Sequence, residues 1–167
     1  NGMWVRRILL GENIVPSDLW NCFIRVQLNF HAERNPCQPK AFADCLRAIG
    51  KPFIFQLDGE RGNAHLDSAI EHAVDECFGL FDVSGGAGIL PTEWPKPIYV
   101  TENGVCHAYH GYAGGLGPEN LAEQIPLILK AAAGTEHTRE GRIWIDMETR
   151  VRSDNDRQFD LNKVRRC

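Results

Sequence analysis

Two glycine-rich segments constrain this chain more than any other feature: FDVSGGAGI at 81–89 and GYAGGLGPENL at 111–121. Each runs from apolar or aromatic residues into a glycine pair, and the second passes into a helix expected to open at Pro118. Glycines at such a turn let the backbone approach a ligand closely and aim N–H groups at it. A helix starting directly behind adds unpaired N–H donors and the positive end of its dipole. Two such turns, each at the carboxyl end of an expected strand, predict a barrel-type cradle for an anion, with phosphate the first choice. The glycines concerned are Gly85, Gly86 and Gly88 in the first turn and Gly114 and Gly115 in the second. A reading as plain tight turns, without a ligand, stands beside it.

Strand-like and helical segments alternate along the chain. FIRVQLNF (23–30), KPFIFQLDG (51–59), FGLFDVS (78–84) and RIWIDMETR (142–150) read as strands, with PIYV (97–100) as a short one. PKAFADCLRAIG (39–50) reads as a helix closed by Gly50, and HLDSAIEHAVDEC (65–77) as an amphipathic helix with Leu66, Ile70, Ala73 and Val74 on one face. In the helix behind the second glycine turn, Pro126 removes one hydrogen bond, which predicts a kink or a division before Gly134 ends it. A last helix opens at Asp160 as N-cap. Such alternation predicts parallel strands joined by right-handed crossovers.

Strand alternation pairs Gln27 with Asn29, Gln56 with Asp58, Asp82 with Ser84, and Asp146 with Glu148, each pair on one side of its strand near the carboxyl end. These groups are expected to converge on one mouth. A doubly wound sheet would also gather strand ends, but its glycine fingerprint follows the first strand. Here the glycine turns fall late in the chain, as barrel phosphate sites do.

The 167 residues make one domain with room for a core, and the formal charge of −4 excludes an electrostatic nucleic-acid binder. The basic residues Arg150, Arg152, Arg157, Lys163, Arg165 and Arg166 alternate with Asp154, Asp156 and Asp160, which reads as a solvated face. No apolar run approaches the ~20 residues that span a bilayer, and no segment resembles a signal peptide. The six cysteines form no metal-ligand spacing and read as reduced thiols of a cytoplasmic protein, with Cys22 as a small core residue. His31, His107 and His110 read as loop histidines, and the Asp-Asn-Asp run at 154–156 lacks the glycine and glutamate of a calcium loop. The chain opens on Asn1 and stops at Cys167 within an expected helix, so it reads as the C-terminal part of a longer barrel.

Four segments together resemble phosphoribosylanthranilate isomerase, a (β/α)8-barrel enzyme family of tryptophan biosynthesis. VQLNFHAE (26–33) is similar to the family's VQLHG-x-E, and LFDVSGGAG (80–88) to its strand that ends in an aspartate and a GGTG turn. YAGGLGPENL (112–121) is very close to LAGGL-x-P-E-N-V. WIDMETRVR (144–152) with FDLNKVRR (159–166) resembles the final DVSSGVE strand and the helix behind it. The likeness covers roughly 23–167 and implies an α/β fold of TIM-barrel type with parallel strands, lacking its first two or three strands here. It implies an Amadori isomerisation of a phosphosugar derivative, with Asp82 as general acid and no metal or organic cofactor. The implied ligand contacts are Gln27, Asn29, Gly85, Gly86, Gly88, Gly114, Gly115, Asp146, Glu148, Thr149 and Arg150.

The chain also departs from the family. The K-I-C-G segment that carries the family's cysteine base is absent, as is its early arginine segment. Ala87 stands in place of the threonine of GGTG, and Glu148, Thr149 and Arg150 in place of the serine pair and glycine of DVSSG. A carboxylate beside a phosphate is costly unless paired, so Glu148 disfavours phosphate while Arg150 favours it. Asp82 reads either as a catalytic acid or as the cap of its own turn, and Asp146 with Glu148 either as an acid/base pair or as carboxylates tied to Arg150 or Arg152. The alternative function is a non-catalytic homologue or truncated barrel that binds a small anion or sugar. An open part-barrel exposes strand edges, so a second copy covering them is expected.

Overall fold

A computed structural model of the chain describes residues 2–28, 38–57, 66, 69, 77–82, 87–97, 100–102, 105–107, 110–133 and 143–167. Its centre is a five-stranded, all-parallel sheet of β1 (Val26–Leu28), β2 (Phe53–Leu57), β3 (Cys77–Phe81), β6 (His110–Tyr112) and β7 (Ile143–Ile145), in that order. The alternation of strands and helices thus gave the parallel sense correctly. Two antiparallel pairs lie outside the sheet and were not foreseen: β4 (Val100–Glu102) with β5 (Val105–His107), and β8 (Arg152–Ser153) with β9 (Gln158–Phe159). The turn of the second pair holds Asp154, Asn155 and Asp156 at φ 51, 53 and 66°, three left-handed residues in a row.

Strands are shorter than read, for physical reasons. Phe23 caps the preceding helix through its N–H to Trp20 O, and Lys51 Nζ takes its carbonyl, so β1 starts only at Val26. β7 ends at Ile145, and the chain then turns into a short 3-10 helix at Thr149–Val151. Two helices, α1 (Gly2–Leu9) and α2 (Ser17–Cys22), precede the sheet where no element was expected. Cys22 is exposed on α2 rather than in the core, its thiol 3.3 Å from Asp18 O one turn back.

Among the described residues the helices pack on one face of the sheet. On one face Phe53, Phe55, Leu57, Cys77, Phe81 and Tyr112 meet α3 (Pro39–Ile49), which buries Phe42, Ala43 and Leu46, together with Val5 of α1. α3 matches its reading: Pro39 sits in its first turn and Gly50 closes it at φ +64°. Of the expected 65–77 helix, the described residues Leu66 and Ala69 are helical and buried, whereas Cys77 already belongs to β3. α4 (Leu121–Ala132) buries Leu121 and Ile128 against the same core, and Ala132 is buried as well. Pro126 does not divide α4; the carbonyl it leaves without a partner belongs to exposed Ala122, where water can serve it. α4 starts at Leu121, three residues after Pro118, and its C-cap Ala133 lies just before Gly134, which is outside the described residues. α5 (Leu161–Arg165) is capped as expected, Asp160 Oδ1 accepting from Asn162 N at 2.9 Å and Lys163 N at 3.2 Å.

On the other face Ile54, Phe78, Leu80, Ala113 and Trp144 form a second cluster. Register places Gln56, Leu80, Gly111 and Trp144 side by side across four strands. A Cβ on Gly111 would lie 2.3 Å from the Trp144 ring, so the indole fits only because residue 111 has no side chain. The Arg25 guanidinium stacks over Trp144 at 4.9 Å and Phe78 at 5.7 Å. Among the described residues no helix is long and apolar enough to cross a membrane.

Candidate functional site

This second face carries the polar residues that strand alternation selected. One step past Leu80 and Trp144 on the same face, beyond the ends of β3 and β7, stand Asp82 and Asp146. The sheet ladder continues there, with Ala113 N on Phe81 O at 2.7 Å and Asp146 N on Tyr112 O at 2.9 Å. Both carboxyls are thereby fixed by main-chain bonds at the carboxyl end of the sheet. They line a shallow cleft together with Gly88, Ala113, Gly114, Gly115, Leu116, Met147, Glu148, Thr149 and Arg150. The cleft is open to one side and its cavity volume is about 30 Å³, too small for a whole sugar.

The two glycine turns meet in this cleft. Gly88, Gly114 and Gly115 have φ of +67, +114 and +61°. A Cβ on Gly115 would fall 2.7 Å from Gly88 O and 2.8 Å from Leu90 N, and one on Gly114 3.0 Å from Ile89 O. The turns therefore pack backbone against backbone, which supplies a reason for glycine independent of any ligand. Gly88 in turn leaves space for Thr149, whose Oγ1 would lie 3.3 Å from a Cβ there. The Asn120 side chain ties the second turn to α4: Oδ1 accepts Gly117 N at 3.0 Å and Nδ2 donates to Gly115 O at 2.8 Å. Gly114, Gly115 and Leu116 are buried, yet among the described residues their three main-chain N–H groups have no acceptor.

Charges divide across the cleft. Gln56 Nε2 donates to Asp82 Oδ2 at 3.1 Å, a bond between neighbouring strands. Burial, then the negative charges of Glu148 and Asp82, push the Asp146 carboxyl above its ordinary value. Glu148 does not share the strand face with Asp146 as expected, because β7 has already ended: its side chain is 71% exposed. Its partner is Arg152, at 3.9 Å, rather than Arg150. Arg150 instead runs its alkyl stem along Gly117, where a Cβ would lie 2.5 Å from Arg150 Cβ. No salt bridge holds its guanidinium among the described residues.

The raised Asp146 carboxyl fixes the sign of a pH effect. A carboxyl whose folded value is raised contributes stability fully present below its ordinary value of 3.8, and that stability is lost as pH rises through the raised value. Asp146→Asn is therefore expected to raise Tm over the native chain at about pH 8 and to differ least at about pH 3.5. Thermal melts across that range check it; a Tm difference that does not grow with pH contradicts the assignment.

Eight of the twelve expected site residues thus come together here: Asp82, Gly88, Gly114, Gly115, Asp146, Glu148, Thr149 and Arg150. Gln27 is on the same face but on edge strand β1, next to Ile54, and does not line the cleft. Asn29, Gly85 and Gly86 lie outside the described residues, as do Asp58 and Ser84. Gln56 was expected at the mouth but assigned no contact, and Asn120 was not singled out. The period-two alternation that selected Asp82 also pointed to Gln56, and Asn120 lay inside the PEN segment. Among the described residues no group of histidine, cysteine and carboxylate side chains is arranged to hold a metal ion. Comparison of the chain with protein-family models, curated proteins and solved structures finds no match.

Proposed function

We propose that the chain forms the larger part of a (β/α)8 barrel of phosphoribosylanthranilate-isomerase type and that its cleft isomerises a phosphosugar derivative by an Amadori rearrangement, as in tryptophan biosynthesis. The observation that carries this reading is the row of three N–H groups at Gly114, Gly115 and Leu116 that have no acceptor among the described residues, set beside Arg150 and two strand-end carboxyls. Buried main-chain donors need an acceptor, and an anionic oxygen suits N–H groups on consecutive residues of a glycine turn beside a guanidinium. In this reading the phosphate sits at the second glycine turn, with Gly88, Thr149 and Arg150 around it. Asp82 and Asp146 then face the sugar ring, which extends out of the shallow cleft. The residues Gly85, Gly86, Asn29 and Gln27 belong to the same reading through the family resemblance. The parallel sheet supports the barrel, and its outer strands β1 and β7 would be covered by further barrel strands or by a second copy of the chain.

Turnover of phosphoribosylanthranilate, followed by loss of its fluorescence, tests the reading, with inorganic phosphate as competitor. Turnover with competitive inhibition is expected. Arg150→Ala should raise KM about tenfold or more and change kcat less, since the guanidinium contacts a group that does not react. Phosphate binding without turnover would favour the non-catalytic anion binder, and the absence of both would overturn the anion cradle as well.

A further inference from the structure

Gly88, Gly114 and Gly115 sit at positive φ, but Gly117 lies outside the left-handed region, so its backbone would accept any residue. What it lacks is room. A Cβ there would fall 2.5 Å from Arg150 Cβ, 3.4 Å from Cγ and 3.2 Å from Cδ, so the Arg150 stem fills the space along most of its length. Neither partner can step back. Gly117 is buried; Asn120 Oδ1 accepts its N–H at 3.0 Å, and its carbonyl accepts from Asn120 N at 3.1 Å and Leu121 N at 3.0 Å. Arg150 stands in the 3-10 turn just before Val151, which is buried and whose carbonyl accepts Asp160 N at 2.9 Å. Asn120 also donates from Nδ2 to Gly115 O at 2.8 Å. One carboxamide therefore sets the span between the Arg150 seat at Gly117 and the N–H row at 114–116.

We infer that Gly117 and Asn120 are positioning residues of the anion site, a role that rests on the anion cradle proposed above. Gly117 seats the stem of Arg150, and Asn120 holds that seat at a fixed span from Gly114, Gly115 and Leu116. Residue 150 is exposed, and a free arginine stem there would sample many rotamers. Ordering it on binding would subtract from affinity; the seat orders it during folding instead. The guanidinium then meets the same anion as the N–H row, because both line one cleft and are joined through a single side chain. The pairing is reciprocal: a stem at 150 requires glycine at 117, and a methyl at 117 requires a residue at 150 without a stem.

A double-mutant cycle read by calorimetric titration with inorganic phosphate tests the seat. Gly117→Ala and Arg150→Gly are each expected to weaken phosphate binding about tenfold. The double variant should also lose about tenfold, not a hundredfold, because no stem remains for the methyl to displace. Its Tm should recover over that of Gly117→Ala for the same reason. Asn120→Ala is expected to weaken binding about fivefold with α4 intact on circular dichroism, since its side chain makes no cap bond to that helix. This arm stands even where Gly117→Ala fails to fold. A purely structural role would move Tm and leave the phosphate affinity of the folded variants native. Native affinity in Gly117→Ala or in Asn120→Ala, or losses that multiply to about a hundredfold in the double variant, overturns the positioning role and leaves the anion cradle standing. No phosphate binding by the native chain overturns the cradle, and the positioning role with it.

Discussion

Gly115→Ala is expected to destabilise the chain by about 3 kcal/mol, lowering Tm by roughly 6–12 °C. Two costs add. At φ +61° an alanine pays the left-handed penalty of about 1–2 kcal/mol. Its methyl would also fall 2.7 Å from Gly88 O and 2.8 Å from Leu90 N, main-chain atoms that cannot rotate away. Gly50→Ala isolates the first cost: its φ is +64°, and the nearest atom to a Cβ there is Arg47 O at 4.0 Å. That variant should lose only about 1 kcal/mol. Urea titration of both distinguishes them; equal losses would mean that the contact between the turns is not the reason for glycine at 115. Because the clash separates the turns, Gly115→Ala should also weaken inorganic phosphate binding, while Gly50→Ala should not.

Tyr112→Ala is expected to cost about 4 kcal/mol, a large share of the ~5–15 kcal/mol that holds a domain together. Tyr112 is fully buried, 5.5 Å from the Phe81 ring and edge-on to Trp94 at 5.8 Å. Its hydroxyl donates to Pro95 O at 3.2 Å, and the Trp94 indole N–H reaches Gln124 Oε1 at 2.9 Å. The aromatic cluster thus joins β6, the 87–97 loop and α4. Tyr112→Phe keeps the ring and loses only the hydroxyl, for about 1 kcal/mol. Chemical denaturation of the pair separates packing from hydrogen bonding, and similar losses in both variants would contradict the packing account. The larger loss reaches the cleft as well, since Tyr112 O anchors Asp146 N at 2.9 Å.

Those elements whose signal is local were legible in the sequence. Pro39 and Gly50 frame α3, Asp160 caps α5, and alternation put Gln56, Asp82 and Asp146 on one face of the sheet. Apolar runs set the parallel strands but overstated their length, because a strand ends where its neighbour's pairing ends and not where β-prone residues stop. That is why Glu148 was placed on β7 and stands instead on an exposed turn. α1 and α2 were missed because they bury almost nothing: α1 contributes Val5, and α2 has no buried residue. Cys22 followed the same rule, lying on a helix with no inward face. Pro126 broke no helix because α4 leaves the affected carbonyl exposed at Ala122. The reason for glycine at 111 and 115 was hidden altogether, since Trp144 and the Gly88–Leu90 backbone that fill those spaces are remote in sequence.

The Asn120 clip has a thermodynamic consequence. One side chain holds both Gly117 N–H and Gly115 carbonyl from the first residue before α4, so the turn takes its shape when the helix folds. The conformational entropy of three glycines is therefore lost during folding and need not be lost again when an anion arrives. An anion at the proposed site would meet a turn already shaped, and its affinity would be set by the contacts it makes rather than by a loop it would otherwise have to order.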